Sequence, residues 1–196
     1  QPGNTLRVEW RARLAEHLGS FVVETERSRA GAIMESHDAL YGLNALTGVA
    51  GAALPERAPN AALFDATAIL LDAMAEDGLS HWGPIYVRWE AGLLEALGYG
   101  LDLTKCAATG TTEDLCYVSP RSGRAVSRAA GAPYARRMFP LPQFLLSAQN
   151  PVRPGDIAAG LKLTGHFLAE RALRPNNKEL PPARLRLDAL AAAESQ

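Results

Sequence analysis

Four positions in the middle of the chain have the spacing of a zinc ribbon, but only one of them is a good zinc ligand. A structural zinc ribbon uses two Cys-x2-Cys pairs separated by about 15–20 residues, because tetrahedral zinc takes four close ligands. That spacing falls here on Cys106, Thr109, Ser127 and Ala130. Threonine and serine offer no soft anion at neutral pH, and alanine offers no ligand at all. The pattern predicts a ribbon-shaped hairpin without zinc, and no cofactor.

A basic stretch without acidic residues follows the first ribbon position. The sequence contains no Asp or Glu from Leu115 to Gly155, although the whole chain has a formal net charge of −1. Guanidinium groups pair with phosphate oxygens, and a local positive field attracts a polyanion even where the net charge is near zero. A solvated basic face without a ligand is the alternative. The candidate phosphate-binding residues are Arg121, Arg124, Arg128, Arg136 and Arg137.

A predicted β-hairpin would position these arginines. Short strands are expected at about 115–119 and 124–127, joined by Ser-Pro-Arg-Ser-Gly, in which proline fixes φ and glycine allows positive φ. Arg121 would then be exposed in the turn. Downstream, Tyr134 could stack on an unpaired base, whereas Phe139 is expected in the core.

Two strands are predicted near the N-terminus. Residues 4–13 alternate between apolar and charged side chains, as a half-buried strand does, and residues 21–25 form a second apolar run. The polar positions supply a second candidate phosphate-binding set, although a solvated strand face is the simpler explanation. This set comprises Arg7, Arg11 and Arg13.

Helical periodicity dominates from residue 28 onward. Helices are predicted from 28 to about 54, from 60 to 77, from 80 to 97 with Pro84 in the first turn, from 156 to 171, and from 183 to about 193. Asn60 and Asp156 are expected N-caps. Phe64, Trp82 and Trp89 are expected in the core, and Glu90 and Glu95 as a helical surface pair. The predicted fold class is mainly α, a helical bundle with an inserted ribbon-like hairpin at about 101–130.

Composition and motifs favour a non-enzymatic cytosolic protein. The sequence has two cysteines, no apolar run of transmembrane length, no phosphate-binding loop of the Walker type and no Gly-x-Ser-x-Gly elbow. Zinc held by Cys106, Cys116 and two distant histidines is a weaker alternative to a metal-free ribbon. A hydrolase with an unrecognised cluster of buried ionisable groups is a third functional class to test.

The run GYGLDLTKCAATGTTEDLCYVSPRSGRAVSRAAGAPY, residues 98–134, resembles the RecO family of DNA repair and recombination mediators in its proteobacterial form. The resemblance covers nearly the whole chain. It implies that residues 1–27 are the last strands of an OB-fold barrel whose earlier part the chain lacks, and that residues 28–196 are the helical domain. Other members have four ribbon cysteines, and this sequence departs from them at Thr109, Ser127 and Ala130.

The resemblance also implies a function in the RecF pathway. Such a mediator binds single- and double-stranded DNA, anneals complementary strands and, with RecR, helps RecA replace the single-stranded DNA-binding protein. It also binds the acidic, apolar-ended tail of that protein, for which Arg88 is a candidate residue at the edge of a pocket. A cytoplasmic location at the bacterial nucleoid, without a membrane partner, is expected. The alternative is a scaffold that binds RecR or the tail without contacting DNA.

Overall fold

The two N-terminal strands are present in the computed structural model, which describes residues 1–14 and 17–194. β1 (Thr5–Arg11) and β2 (Ser20–Arg27) pair antiparallel, with Val8 opposite Val23 and Trp10 opposite Phe21. The expected half-burial is not found, because Val8 is 52% and Trp10 47% exposed. The described chain therefore leaves the apolar face of this strand pair uncovered, and its assignment to an OB-fold barrel stays a prediction.

Four helices follow, one more than the periodicity predicted. They are α1 (Ala30–Glu35), α2 (His37–Ala53), α3 (Ala61–Glu76) and α4 (Leu79–Ala96). Ser36 separates α1 from α2, because its backbone is extended and its hydroxyl accepts the N–H of Ala39. The predicted cap at Asn60 is confirmed, since its side-chain oxygen accepts the N–H of Leu63 at 2.9 Å.

The core is built around α4, which packs against α3 on one side and a later helix on the other. Trp82 and Trp89 are buried as predicted, but Phe64 is 67% exposed. Phe64 lies one position beyond Leu63, about 100° around α3 from the buried stripe that Leu63 and Leu70 form. Pro84 lies in the second turn of α4 rather than in the first.

The inserted hairpin is part of a three-stranded antiparallel sheet. β3 (Leu115–Val118) lies between β4 (Ala125–Ser127) and β5 (Phe139–Pro140). The hairpin turn is closed by Ser119 N–H donating to the Arg124 carbonyl, and Gly123 has the positive φ of 73° that the turn requires. α5 (Arg128–Gly131) and a 3-10 helix (Ala132–Arg137) lead from β4 to β5.

Two further helices complete the fold, which is mainly helical as predicted. α6 (Asp156–Phe167) continues into a π-helix (Leu168–Leu173) and a 3-10 helix (Arg174–Asn176), and α7 (Pro182–Ala193) packs along α2. Asp156 is the first residue of α6 rather than its cap, since Gly155 precedes the helix with φ 81°. No helix in residues 1–14 or 17–194 has both the length and the apolar character needed to cross a bilayer.

Candidate nucleic-acid interface

Two of the predicted hairpin arginines form ion pairs with carboxylates of the same hairpin region. Arg124 Nε lies 3.2 Å from Asp102 Oδ2, and Arg128 Nε lies 3.2 Å from Asp114 Oδ2. Both acidic residues precede the acid-free stretch in sequence, and the chain path brings them back beside it. All four side chains are at least 40% exposed, so solvent screens each pair strongly and a phosphate can compete with it.

The other hairpin-region arginines have no carboxylate partner among the described residues. Arg121, Arg136 and Arg137 are exposed, and no ion pair involves them. Strand register places them at the same end of the sheet. Val118 pairs with Phe139, so the turn that follows Val118 and the 3-10 helix that precedes Phe139 lie at the same end of the strands, which we call the sheet edge. The register therefore places three of the eight candidate arginines at this edge, each without a carboxylate partner in the described part of the chain.

Contacts with α6 hold this edge of the sheet. His166 Nε2 lies 3.3 Å from the Pro120 carbonyl oxygen, and the ring centroids of Phe139 and His166 are 4.9 Å apart. Phe139 also packs edge-on against Phe167. Phe139 is thus a packing residue, as expected, whereas Tyr134 is 57% exposed and accessible to a base.

Arg171 joins this edge from a distant part of the sequence, and sequence reasoning missed it. Its Nη2 donates to the carbonyl of Arg121 at 3.2 Å, and its guanidinium lies 4.5 Å from the ring centroid of Phe167. Arg171 is 50 residues from Arg121 in sequence, and no local signal connects the two positions. Only the packing of α6 against the sheet reveals the contact.

The N-terminal arginines are a separate set. Arg7 pairs with Glu26 and Arg11 with Glu9 at 2.9 and 3.0 Å, while Arg13 is exposed without a partner among the described residues. No hydrogen bond or ion pair of the described chain joins them to the hairpin arginines.

The ribbon positions form a hydrogen-bonded cluster around one thiol. Cys106 is buried, and Ser127 N–H donates to its Sγ at 3.3 Å. Burial raises the pKa of Cys106, but hydrogen bonds from the Ser127 side chain and backbone, the Thr109 hydroxyl and the Ala108 N–H together outweigh it and lower the pKa to about 6. Ala130 packs partly buried against the core and offers no ligand.

This donor set does not fit the zinc of a four-cysteine ribbon. One sulfur and two hydroxyls lack the thiolates that tetrahedral zinc requires. Within residues 1–14 and 17–194, no three His, Cys, Asp or Glu side chains are grouped to hold a metal, so the alternative with Cys116 and two histidines is not assembled either. Burial raises the pKa of Cys116, which favours its neutral thiol.

Glu90 was predicted at the surface, and that prediction is wrong. Glu90 and Arg184 are both fully buried, joined by Nε–Oε1 and Nη2–Oε2 contacts of 2.6 and 2.9 Å. Thr164 donates its hydroxyl to Glu90, and Arg184 also donates to the Leu161 carbonyl. This cluster is closed to solvent and internally satisfied, so it holds helices together rather than offering a hydrolytic site in a cleft.

An apolar groove lies between α3 and α4, on the surface where the predicted residue Arg88 is found. It has a volume of about 610 Å³, and its walls include Ile69, Ile85 and Trp89. Arg88 lies at its side, where its Nε and Nη2 donate to the Phe144 carbonyl at 3.1 and 2.8 Å. The groove is thus mainly apolar, with the braced cation of Arg88 and the carboxylate of Glu95 also in its lining.

Comparisons with known proteins agree with the fold. The family model "Recombination protein O C terminal" matches residues 34–181. A DNA repair protein RecO of Phenylobacterium zucineum is 51% identical over 185 residues, covering 94% of this chain and 75% of that protein. Those of Rhodospirillum rubrum and Paracoccus denitrificans are 50% and 52% identical, and the matches cover 95% of this chain and 75% of each relative.

Proposed function

The chain belongs to the RecO family of DNA repair proteins, and from this premise we propose that it is a recombination mediator that binds DNA directly. It promotes annealing of complementary strands and helps RecA load onto DNA coated by the single-stranded DNA-binding protein. The observation that supports this best is a set of exposed arginines, Arg121, Arg136 and Arg137, that lie at one edge of the sheet and have no carboxylate partner among residues 1–14 and 17–194.

The proposed mechanism is electrostatic and involves no covalent step. Arginine side chains neutralise phosphates and release condensed counterions, so affinity falls as salt rises, with a slope of about −0.7 per contact for a single strand. Arg124 and Arg128 exchange their exposed carboxylate partners for phosphate. In this mechanism the exposed ring of Tyr134 stacks on an unpaired base of the bound strand. Binding two strands on such a surface lowers their mutual repulsion, which assists annealing.

The α3–α4 groove is the proposed site for the tail of the single-stranded DNA-binding protein. Its apolar walls suit the apolar end of such a tail, and Arg88 suits the acidic residues before that end. Hydrogen bonds to the Phe144 carbonyl hold Arg88 in place, so binding costs little side-chain entropy. RecR is the proposed second partner, and the bacterial nucleoid is the proposed place of action.

A scaffold that binds protein partners without DNA is the second candidate. The observation in its favour is that four candidate arginines, Arg7, Arg11, Arg124 and Arg128, pair with carboxylates of the chain itself. Exposed pairs of this kind are weak, and they do not involve the three arginines at the sheet edge.

One pair of assays separates the two functions. Fluorescence anisotropy with a labelled single strand measures DNA binding, and a pull-down with nuclease-treated RecR and tail peptide measures protein binding. A mediator gives salt-dependent DNA binding and accelerates annealing of complementary oligonucleotides. Tail or RecR binding without any DNA binding at low salt would overturn the mediator proposal and favour the scaffold.

A further inference from the structure

Arg171 has two contacts that hold it at the sheet edge, where Arg121, Arg136 and Arg137 lie without a carboxylate partner among the described residues. Its guanidinium is stacked over Phe167, and one N–H donates to the Arg121 carbonyl. A Cβ at position 123 would lie 3.3 and 3.4 Å from its two terminal nitrogens, so Gly123 permits this close approach. The turn of the hairpin therefore fits around the guanidinium group.

The remaining donors of Arg171 are not used by a carboxylate of the described chain. A guanidinium group has five N–H donors, and the contact with the Arg121 carbonyl uses one of them. The neighbouring Glu170 is engaged by Arg174, one helical turn further on. Arg171 is partly exposed, so its free donors can reach a ligand at the surface.

Three separate segments of the chain thus supply cations to one edge. Arg121 comes from the hairpin turn, Arg136 and Arg137 from the 3-10 helix before β5, and Arg171 from the π-helix after α6. The contacts of His166 with the Pro120 carbonyl and the Phe139 ring hold the three segments together. A chain of phosphates at regular spacing is the ligand that suits several guanidinium groups along an edge.

We infer that Arg171 contacts a DNA phosphate and positions the hairpin turn, completing a composite backbone-binding site with Arg121, Arg136 and Arg137. This inference rests on the proposed function and extends it to a residue outside the basic stretch. Because Arg171 is already ordered by Phe167 and the Arg121 carbonyl, it loses little conformational freedom on binding.

The test is the salt dependence of single-strand binding by Arg171→Gln. If one phosphate contact is lost, the slope of log affinity against log salt becomes shallower by about 0.7. Arg171→Lys keeps the charge and is expected to retain the slope with a weaker affinity, because lysine lacks the planar stacking surface. Arg153→Gln is the matched control, because Arg153 is exposed and precedes the N-terminus of α6, whereas Arg171 follows its C-terminus. The salt slope of Arg153→Gln is expected to equal that of the wild type.

The outcomes separate the inference from the function on which it rests. If the wild type binds DNA and Arg171→Gln has the same slope, the inference is wrong and the proposed function stands. If the wild type binds no DNA at low salt, both are wrong. Should Arg171→Gln lose its fold by circular dichroism, Arg171→Lys decides: a retained slope with weaker affinity supports the inference, and wild-type affinity or a shallower slope contradicts it.

Discussion

Arg184 on α7 and Glu90 on α4 form a bidentate ion pair in which neither side chain is exposed to solvent. The Thr164 hydroxyl on α6 completes the cluster by donating to Glu90, so three helices meet at one carboxylate. Such a pair is costly to break, because the remaining charge would be buried without a partner. The relationship explains how α7, the last helix described, is held to the centre of the bundle.

Replacing Arg184 by methionine is expected to lower the free energy of unfolding by about 3–5 kcal/mol, because Glu90 would stay buried as an unpaired charge. Urea unfolding followed by circular dichroism measures the change. The double variant with Glu90→Leu should recover much of the loss, since it removes both charges together. Arg186→Met is the control, as Arg186 is exposed on the same helix. A loss below about 1 kcal/mol in Arg184→Met would contradict this account.

The pKa of Cys106 should lie below the ordinary thiol value, and the pKa of Cys116 should lie above it. In Cys116→Ala, the thiolate absorbance at 240 nm should appear with a midpoint near the pKa of about 6 assigned to Cys106. In Cys106→Ala, the remaining thiol should titrate above the ordinary value, because burial raises the pKa of Cys116. Equal midpoints in the two variants would show that the donors around Cys106 do not stabilise its thiolate.

The same thiol predicts how stability depends on pH. The folded-state pKa of Cys106 lies below the ordinary value of 9.0, so its stabilising effect is complete above that value and is lost as pH falls towards about 6. The unfolding free energy of Cys116→Ala should therefore rise between pH 6 and 9 more than that of the variant lacking both cysteines. Parallel curves would contradict the prediction.

Zinc should not contribute to the stability of the hairpin. Hydrogen bonds to the sulfur of Cys106 from Ser127 and Thr109 already connect the segment before β3 with β4. Purified protein is expected to contain much less than one zinc per chain, and a chelator should leave its melting temperature unchanged. Elemental analysis that finds one zinc per chain, released with loss of stability, would show that other ligands are recruited.

The α3–α4 groove makes a prediction that is independent of DNA. Ile69 is 61% exposed in the wall of the groove, so Ile69→Ser should weaken binding of an acidic peptide with an apolar end by about tenfold, without changing DNA affinity. Met34→Ser changes an apolar residue that is similarly exposed on α1, outside the groove, and serves as the control. Equal peptide affinity in all three proteins would exclude this groove as the binding site.

Local sequence signals predicted the helices and the hairpin well. Asn60 caps α3, and the Ser-Pro-Arg-Ser-Gly turn forms where proline and glycine require it. The break between α1 and α2 was not predicted, because a single residue, Ser36, is enough to divide an apolar periodic stretch into two helices. β5 is two residues long and contains a proline, so it has no strand pattern of its own and depends on pairing with β3.

The site was predictable only in part, because charge pairing depends on contacts between distant segments. The stretch from 115 to 155 contains no acidic residue, but Asp102 and Asp114 precede it in sequence. The fold brings them beside the stretch, where they pair with Arg124 and Arg128. The ion-pair partner of Glu90 could not be identified from the sequence, because Arg184 is 94 residues away. For the same reason, Arg171 could not be connected with the hairpin turn before the packing of α6 was known.

The most direct test of the central claim is the salt slope of single-strand binding by the triple variant Arg121→Gln, Arg136→Gln and Arg137→Gln. Loss of three phosphate contacts should make the slope shallower by about 2 and weaken binding at low salt. A triple variant that removes Arg7, Arg11 and Arg13 is the control for the same change in net charge, and its slope should change less. If the triple variant of Arg121, Arg136 and Arg137 keeps the wild-type slope, the sheet edge is not the DNA-binding surface.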